Sequence, residues 1–183
     1  MTPEESKTLR IIEVLEAEGI PYFLAGSFAS NYYGIPRSTK DADFVLQTKG
    51  GVGASFARRL GDEYTVDPQL SFETVTGTHR QYVRHTKTEF TIELFMLSDD
   101  AHDLERFSRR KAEQLFGRTV WLLSAEDVVV SKLRWARQKD EDDILNVMSV
   151  QRGRLDWAYI ETWCRRHGSF PLMEKLRRFT PEI

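Results

Sequence analysis

The spacing of apolar positions changes character along this chain. Over residues 3–18, Leu9, Ile12, Val14 and Leu15 fall near helical spacing, and Gly19 supplies a stop. Residues 21–26 form a short apolar run ending in glycine, the pattern of a buried strand. A short helix is expected over 27–33, opened by Ser27 and closed by Gly34, then a strand over 42–47 and a second short helix over 51–60. Strands are expected over 70–75 and 81–85, joined by a turn at Gly77-Thr78. The clearest strand is 90–97, where Phe90, Ile92, Leu94 and Met96 alternate with Thr91, Glu93, Phe95 and Leu97. Residues 100–116 read as a heavily charged helix and 119–123 as a last strand. From Ser124 onward only helices are expected. Ser124-Ala-Glu-Asp127 fits a capping box opening a helix to about 137, and further helices cover about 141–150, 155–167 and 172–179. No linker, repeat or low-complexity stretch interrupts the chain. The pattern predicts an α/β (α+β) core over 1–123 with a helical cap over 124–183 packed on it.

Composition fits that layout. The 183 residues are 40% hydrophobic, 30% charged and 11% aromatic, enough for one sizeable core and too apolar for extended disorder. A net charge of −2 argues against a general polyanion binder, although local basic clusters exist at 109–111, 134–139, 165–166 and 175–178. The single cysteine, Cys164, rules out an internal disulfide and a multi-cysteine zinc site. Residues 1–6 are acidic and unlike a signal peptide, and no apolar run approaches the roughly 20 residues that span a bilayer. The expectation is a cytoplasmic protein without membrane association.

Candidate chemistry is concentrated in a few places. Gly26 lets the backbone approach a ligand, and Ser27, at a helix start, can aim its N–H and hydroxyl at an anion. The same pair is equally compatible with a plain helix cap. Asp41 and Asp43 alternate on a strand, so both carboxylates project from one face, where they repel unless a cation lies between them. Oxygen-only ligands suit Mg²⁺ or Mn²⁺ together with substrate phosphates; solvated acids at a strand end are the alternative. A calcium-binding EF-hand loop is excluded, because its sixth position requires glycine and Leu46 stands there. Glu93 shares a strand face with Thr91 and Phe95, so it either meets solvent or completes a metal site with the Asp pair. Asp127, Lys132, Arg134, Lys139, Asp140 and Asp143 are dense in charge around Val128, Val129, Leu133 and Ile144. Helix salt bridges are the favoured reading there; the rival is that Lys132 reaches a triphosphate.

The stretch from Phe23 to Val45 contains Gly26-Ser27, a short helix closing on Gly34, then Arg37, Thr39 and Asp41-Ala-Asp43. It resembles the opening motif of the AbiEii-like minimal nucleotidyltransferases, relatives of type IV toxin–antitoxin toxins. Asp127, Lys132 and Lys139-Asp140-x-x-Asp143 resemble that family's later segment, so the resemblance spans roughly residues 10–150 in the family's order. It implies the nucleotidyltransferase fold, a mixed β-sheet flanked by helices. It implies phosphate binding by Gly26 and Ser27, nucleotide-binding positions at Arg37, Thr39 and Lys132, and Mg²⁺ or Mn²⁺ at Asp41 and Asp43. The family's third carboxylate, commonly aspartate, falls on Glu93, whose longer side chain carries its oxygens one bond further out.

The function so implied is metal-dependent transfer of a nucleotide from an NTP to an acceptor hydroxyl. RNA, a tRNA 3′ end, a protein or a small molecule could supply that hydroxyl. A toxin role would add a cognate antitoxin as partner. The competing reading is a catalytically silent nucleotide- or partner-binding module of the same fold, and the placement of Glu93 relative to Asp41 and Asp43 discriminates the two.

Overall fold

The computed structural model describes residues 1–180; the last residues of the expected helical cap, 181–183, lie outside the described residues. Helix α1 (Pro3–Ala17) opens with a capping box in which Thr2 and Glu5 satisfy each other's backbone N–H groups. Then follow β1 (Tyr22–Leu24), α2 (Gly26–Tyr33), β2 (Asp41–Leu46) and α3 (Ala54–Leu60). The middle of the chain is β3 (Tyr64–Val66), β4 (Ser71–Glu73), β5 (Thr78–His85), β6 (Thr91–Met96), α4 (Ala101–Ser108), β7 (Lys111–Leu115) and β8 (Arg118–Leu122). Helices α5 (Ala125–Trp135), α6 (Glu141–Val150), α7 (Trp157–His167) and α8 (Phe170–Phe179) complete it, with a 3₁₀ turn at Gln138–Asp140 leading into α6. None of these helices is long and apolar enough to cross a membrane.

The strands form one mixed eight-stranded sheet in the order β3-β5-β6-β2-β1-β8-β7, with β4 added beside β5. β2 runs parallel to β6 and antiparallel to β1, which pairs in parallel with β8. The alternation read on residues 90–97 sorts faces as expected: Ile92, Leu94 and Met96 are buried while Thr91, Glu93 and Phe95 lie at intermediate exposure. One apolar cluster joins α1, the sheet and the C-terminal helices, from Ile11 and Phe44 through Val129 to Met173. Gly34 closes α2 against α6: a Cβ there would lie 2.9 Å from the Ser30 carbonyl oxygen and 3.1 Å from the Val147 nitrogen.

Several sequence expectations need correction. The helix expected over 100–116 is α4 followed by the edge strand β7. Phe116 and Gly117, with φ of 56° and 75°, form the tight turn that folds β7 back on β8. β7 carries no apolar alternation because an edge strand with two wet faces needs none. β3 was not anticipated, since its three residues Tyr64–Val66 are too short to show a period. α2 begins one residue earlier than expected, on Gly26, with Ala25 as its cap.

Candidate active site

The centre of the sheet gathers the acids. Asp41 and Asp43 project from one face of β2, and Asp43 stands in register with Glu93 on the adjacent parallel strand β6, so their backbones are about 4.8 Å apart. All three line one cleft, which encloses about 960 Å³ counted to its open mouth. Thr39 orients Asp41, its hydroxyl donating to Oδ1 at 2.8 Å. Burial, then the negative charges of Asp41 and Glu93, push the Asp43 carboxyl up to about 7 against the pull of Lys132 and Arg137. Three hard oxygen donors crowded until one resists ionisation make a set that a divalent cation fits, because the cation removes the repulsion that crowding creates.

Gly26 is shaped by these acids. Its φ is +54°, and a Cβ built there would fall 1.8 Å from Asp43 Oδ2. The glycine at this position therefore has a cause within the chain itself: the room beside it belongs to the Asp43 carboxylate. Ser27 occupies the first turn of α2, where N–H groups lack intrahelical partners, and its Oγ accepts from Arg37 Nη2 at 3.2 Å.

The charged helix pair forms the opposite wall. Arg37 grips Asp143 through two bonds of 2.7 Å. Lys132 Nζ donates to Asp140 at 3.1 Å and to Asp143 at 2.8 Å. Arg137 holds Asp140 at 2.6 and 3.1 Å. Burial raises the Asp143 carboxyl's pKa, but the Arg37 and Lys132 bonds outweigh it and bring the value to about 2. The salt-bridge reading of Lys132 holds, since it is ion-paired and only 6% exposed; its side chain also lines the cleft.

Asp127 does not join the cleft. It is fully buried, accepting from Tyr159 Oη at 2.6 Å and Ser124 Oγ at 2.6 Å and lying 3.1 Å from His102 Nε2. It ties α4, α5 and α7 together. A separate cluster of Asp100, His102 and His167 has ligand-type atoms within 4.8 Å of one another. Both Asp100 oxygens already accept from Arg134, at 3.0 and 3.1 Å, so a guanidinium occupies the place a metal would need. Sequence reading missed Arg80, Phe95 and Trp135 as cleft residues. Arg80 comes beside Glu93 through the β5–β6 pairing, which no local pattern discloses.

A mixed sheet with paired carboxylates on one strand, a third on its neighbour and a glycine-led helix start beside them defines a nucleotidyltransferase-fold enzyme. The chain belongs to the family described as nucleotidyl transferase of unknown function (DUF2204), whose sequence model matches residues 4–168. Solved structures share the fold at low identity. ANT(2")-Ia in complex with adenylyl-2"-tobramycin superposes with TM-score 0.58 at 12% identity, covering 92% of this chain and 98% of that one. The lincomycin-bound lincosamide antibiotic adenylyltransferase LnuA gives 0.54 at 15%, covering 79% and 96%. An antigenic nucleotidyltransferase-like protein from Paracoccidioides brasiliensis gives 0.53 at 14%, covering 100% and 96%. No curated protein sequence matches the chain.

Proposed function

We propose that this protein transfers a nucleotide from an NTP to an acceptor hydroxyl in a metal-dependent reaction. The observation that carries the reading is the register of Asp43 with Glu93 across β2 and β6, with Asp41 on the same strand face and all three opening on one cleft. Asp41, Asp43 and Glu93 would hold Mg²⁺ or Mn²⁺. When bound, such ions lower the pKa of an attacking hydroxyl and neutralise charge on the departing pyrophosphate. The free N–H groups at the start of α2 and the Ser27 hydroxyl bind the phosphate chain. Arg37 steadies Ser27, Thr39 steadies Asp41, and Lys132 sets a positive charge behind the triphosphate. Glu93 assists at the acceptor oxygen as ligand or proton acceptor.

What supports catalysis over a silent binding module is that Glu93 sits next to Asp43 on the cleft face. The test is incubation with each labelled NTP, Mg²⁺ or Mn²⁺ and acceptors: RNA including tRNA, protein and small hydroxyl compounds. Label transfer is expected, and Glu93→Gln should abolish it while sparing nucleotide binding. Transfer by Glu93→Gln at the wild-type rate would show that the third acid is misplaced. The finer kinship, an AbiEii-like toxin with a cognate antitoxin in the cytoplasm, rests on the motif between Phe23 and Val45. Growth arrest on expression, relieved by co-expression of a candidate antitoxin, tests it. In this reading residues 1–123 are the catalytic core and the helical region from 124 onward packs on it.

A further inference from the structure

We infer that Arg80 marks the acceptor side of the cleft and selects an acceptor that carries a phosphate group beside its reacting hydroxyl; this rests on the transfer reading above. The sheet order supplies the direction. Gly26 and Ser27 follow β1, the Asp pair lies on β2, Glu93 on β6 and Arg80 on β5, and these strands are consecutive neighbours. Phosphate-binding backbone therefore stands on one side of the Asp pair. Glu93 and then Arg80 stand on the other, about two strand spacings, roughly 10 Å, from Asp43. Nucleotidyl transfer needs that polarity. The acceptor oxygen bonds to the α-phosphorus while the bond from that phosphorus to the bridging oxygen breaks. Pyrophosphate leaves toward α2, and the hydroxyl proton passes to Glu93.

Arg80 is built to receive an anion there. Its Nη1 donates to Glu93 Oε2 at 2.9 Å, and its Nη2 makes no hydrogen bond among the described residues. The guanidinium carbon lies 4.7 Å from the Tyr82 ring centroid and 5.7 Å from that of Phe95. Two aromatic contacts fix the plane of the fork and leave N–H edges for bonds in that plane, the geometry that suits phosphate oxygens. Arg80 meets its acid through one nitrogen, whereas Arg37 holds Asp143 and Arg137 holds Asp140 through two each, and the fourth cleft arginine, Arg106, pairs with Asp103. Exposed Lys139, also on the cleft, has no ion-pair partner among the described residues and adds positive charge.

The phosphate could belong to the terminal nucleotide of an RNA strand or to a small phosphorylated alcohol. The full chain, loaded with Mg²⁺ and a non-hydrolysable NTP analogue, would be titrated by calorimetry with a short oligoribonucleotide pool, a sugar phosphate, the unphosphorylated sugar and tobramycin. At least one phosphate-bearing probe should bind tenfold or more tightly than its uncharged counterpart and than tobramycin, and which one binds names the source. Arg80→Gln should lose that tenfold preference, Arg80→Lys should recover part of it, and analogue affinity in both variants should stay within twofold of wild type. Tighter binding of tobramycin, or an unchanged preference in Arg80→Gln, would overturn the inference while leaving nucleotide binding intact. Absence of binding by either phosphate probe would overturn it too. Failure of the NTP analogue itself to bind would overturn both this inference and the transfer reading.

Discussion

Gly26→Ala tests whether the glycine serves the chain's own carboxylate. Two costs add in the native protein. A residue with a Cβ at φ +54° carries roughly 1–2 kcal/mol of left-handed backbone strain. The new methyl would also stand 1.8 Å from Asp43 Oδ2 and 2.7 Å from Cγ, an overlap that only movement of Asp43 relieves, at about 1–3 kcal/mol by analogy with overpacked cores. The expected loss is therefore about 2–5 kcal/mol in urea unfolding. Asp43→Ala deletes both of those atoms and keeps only the Cβ at 3.0 Å. In that background the same Gly26→Ala change should cost only the backbone strain, about 1–2 kcal/mol. The double-mutant cycle should thus show a coupling of about 1–3 kcal/mol. Circular dichroism across a urea series measures it, with m-values checked for constancy. Additivity within about 0.5 kcal/mol would refute the reasoning and leave the glycine as a turn residue alone.

Three further outcomes follow from the same geometry. The Asp43 carboxyl sits at about 7 in the folded chain against about 3.9 unfolded. Between those values the folded state keeps a proton the unfolded state has lost, so metal-free stability should fall as pH rises from about 4 to about 7. Asp43→Asn should flatten that slope in thermal melts, and Mg²⁺ should stabilise wild type more at pH 8 than at pH 5.5; a slope unchanged in Asp43→Asn would exclude this cause. Lys132→Met would leave buried Asp140 and Asp143 short of one cation and should cost about 3 kcal/mol in chemical denaturation; a loss under about 1 kcal/mol would mean that Arg37 and Arg137 suffice. Ala136 ends α5 with φ 50°, so Ala136→Gly should raise stability by up to about 1 kcal/mol, read as a higher Tm; a lower Tm would refute the strain.

What the sequence disclosed and withheld follows from the range of each interaction. β6 was readable because Ile92, Leu94 and Met96 bury one face and Glu93 the other borders a cleft, a two-residue period written locally. Asp41, Asp43 and Gly26-Ser27 were readable because strand parity and helix starts are local too. β7 was not, because residues 111–115 pair at a sheet edge whose solvated faces accept Lys, Glu and Gln without alternation. Arg80 was hidden for a different reason. Its place depends on the register of β5 against β6, where Tyr82 opposes Glu93 and Arg80 opposes Phe95, and register is set by pairing across the sheet. The Asp140 and Asp143 ion pairs lay between. Their spacing gave a charged helix start, but only the packed α5–α6 pair shows that Lys132 is buried between them.

Several of the places where this chain departs from ordinary foldability border the cleft. Gly26 is held left-handed, Ala136 adopts the same conformation without being glycine, Asp43 resists ionisation, and Arg80 buries a donor without a partner. Each departure costs free energy that ordinary packing would remove: a Ser or Asn in place of Asp43, a glycine at 136, a hydrophobic residue at 80. Gly26, Asp43 and Arg80 line the cleft, and Ala136 turns the chain between Trp135 and Arg137, which line it too. Strain of this kind persists where the surroundings over-determine it, and it concentrates where ligands act. In the proposed reading a divalent cation would relieve the repulsion among the carboxylates, and a phosphate on the Glu93 side would pair with the Arg80 guanidinium. In that same reading, this is the charge pattern that a triphosphate and a phosphate-bearing acceptor with a cation between them would meet.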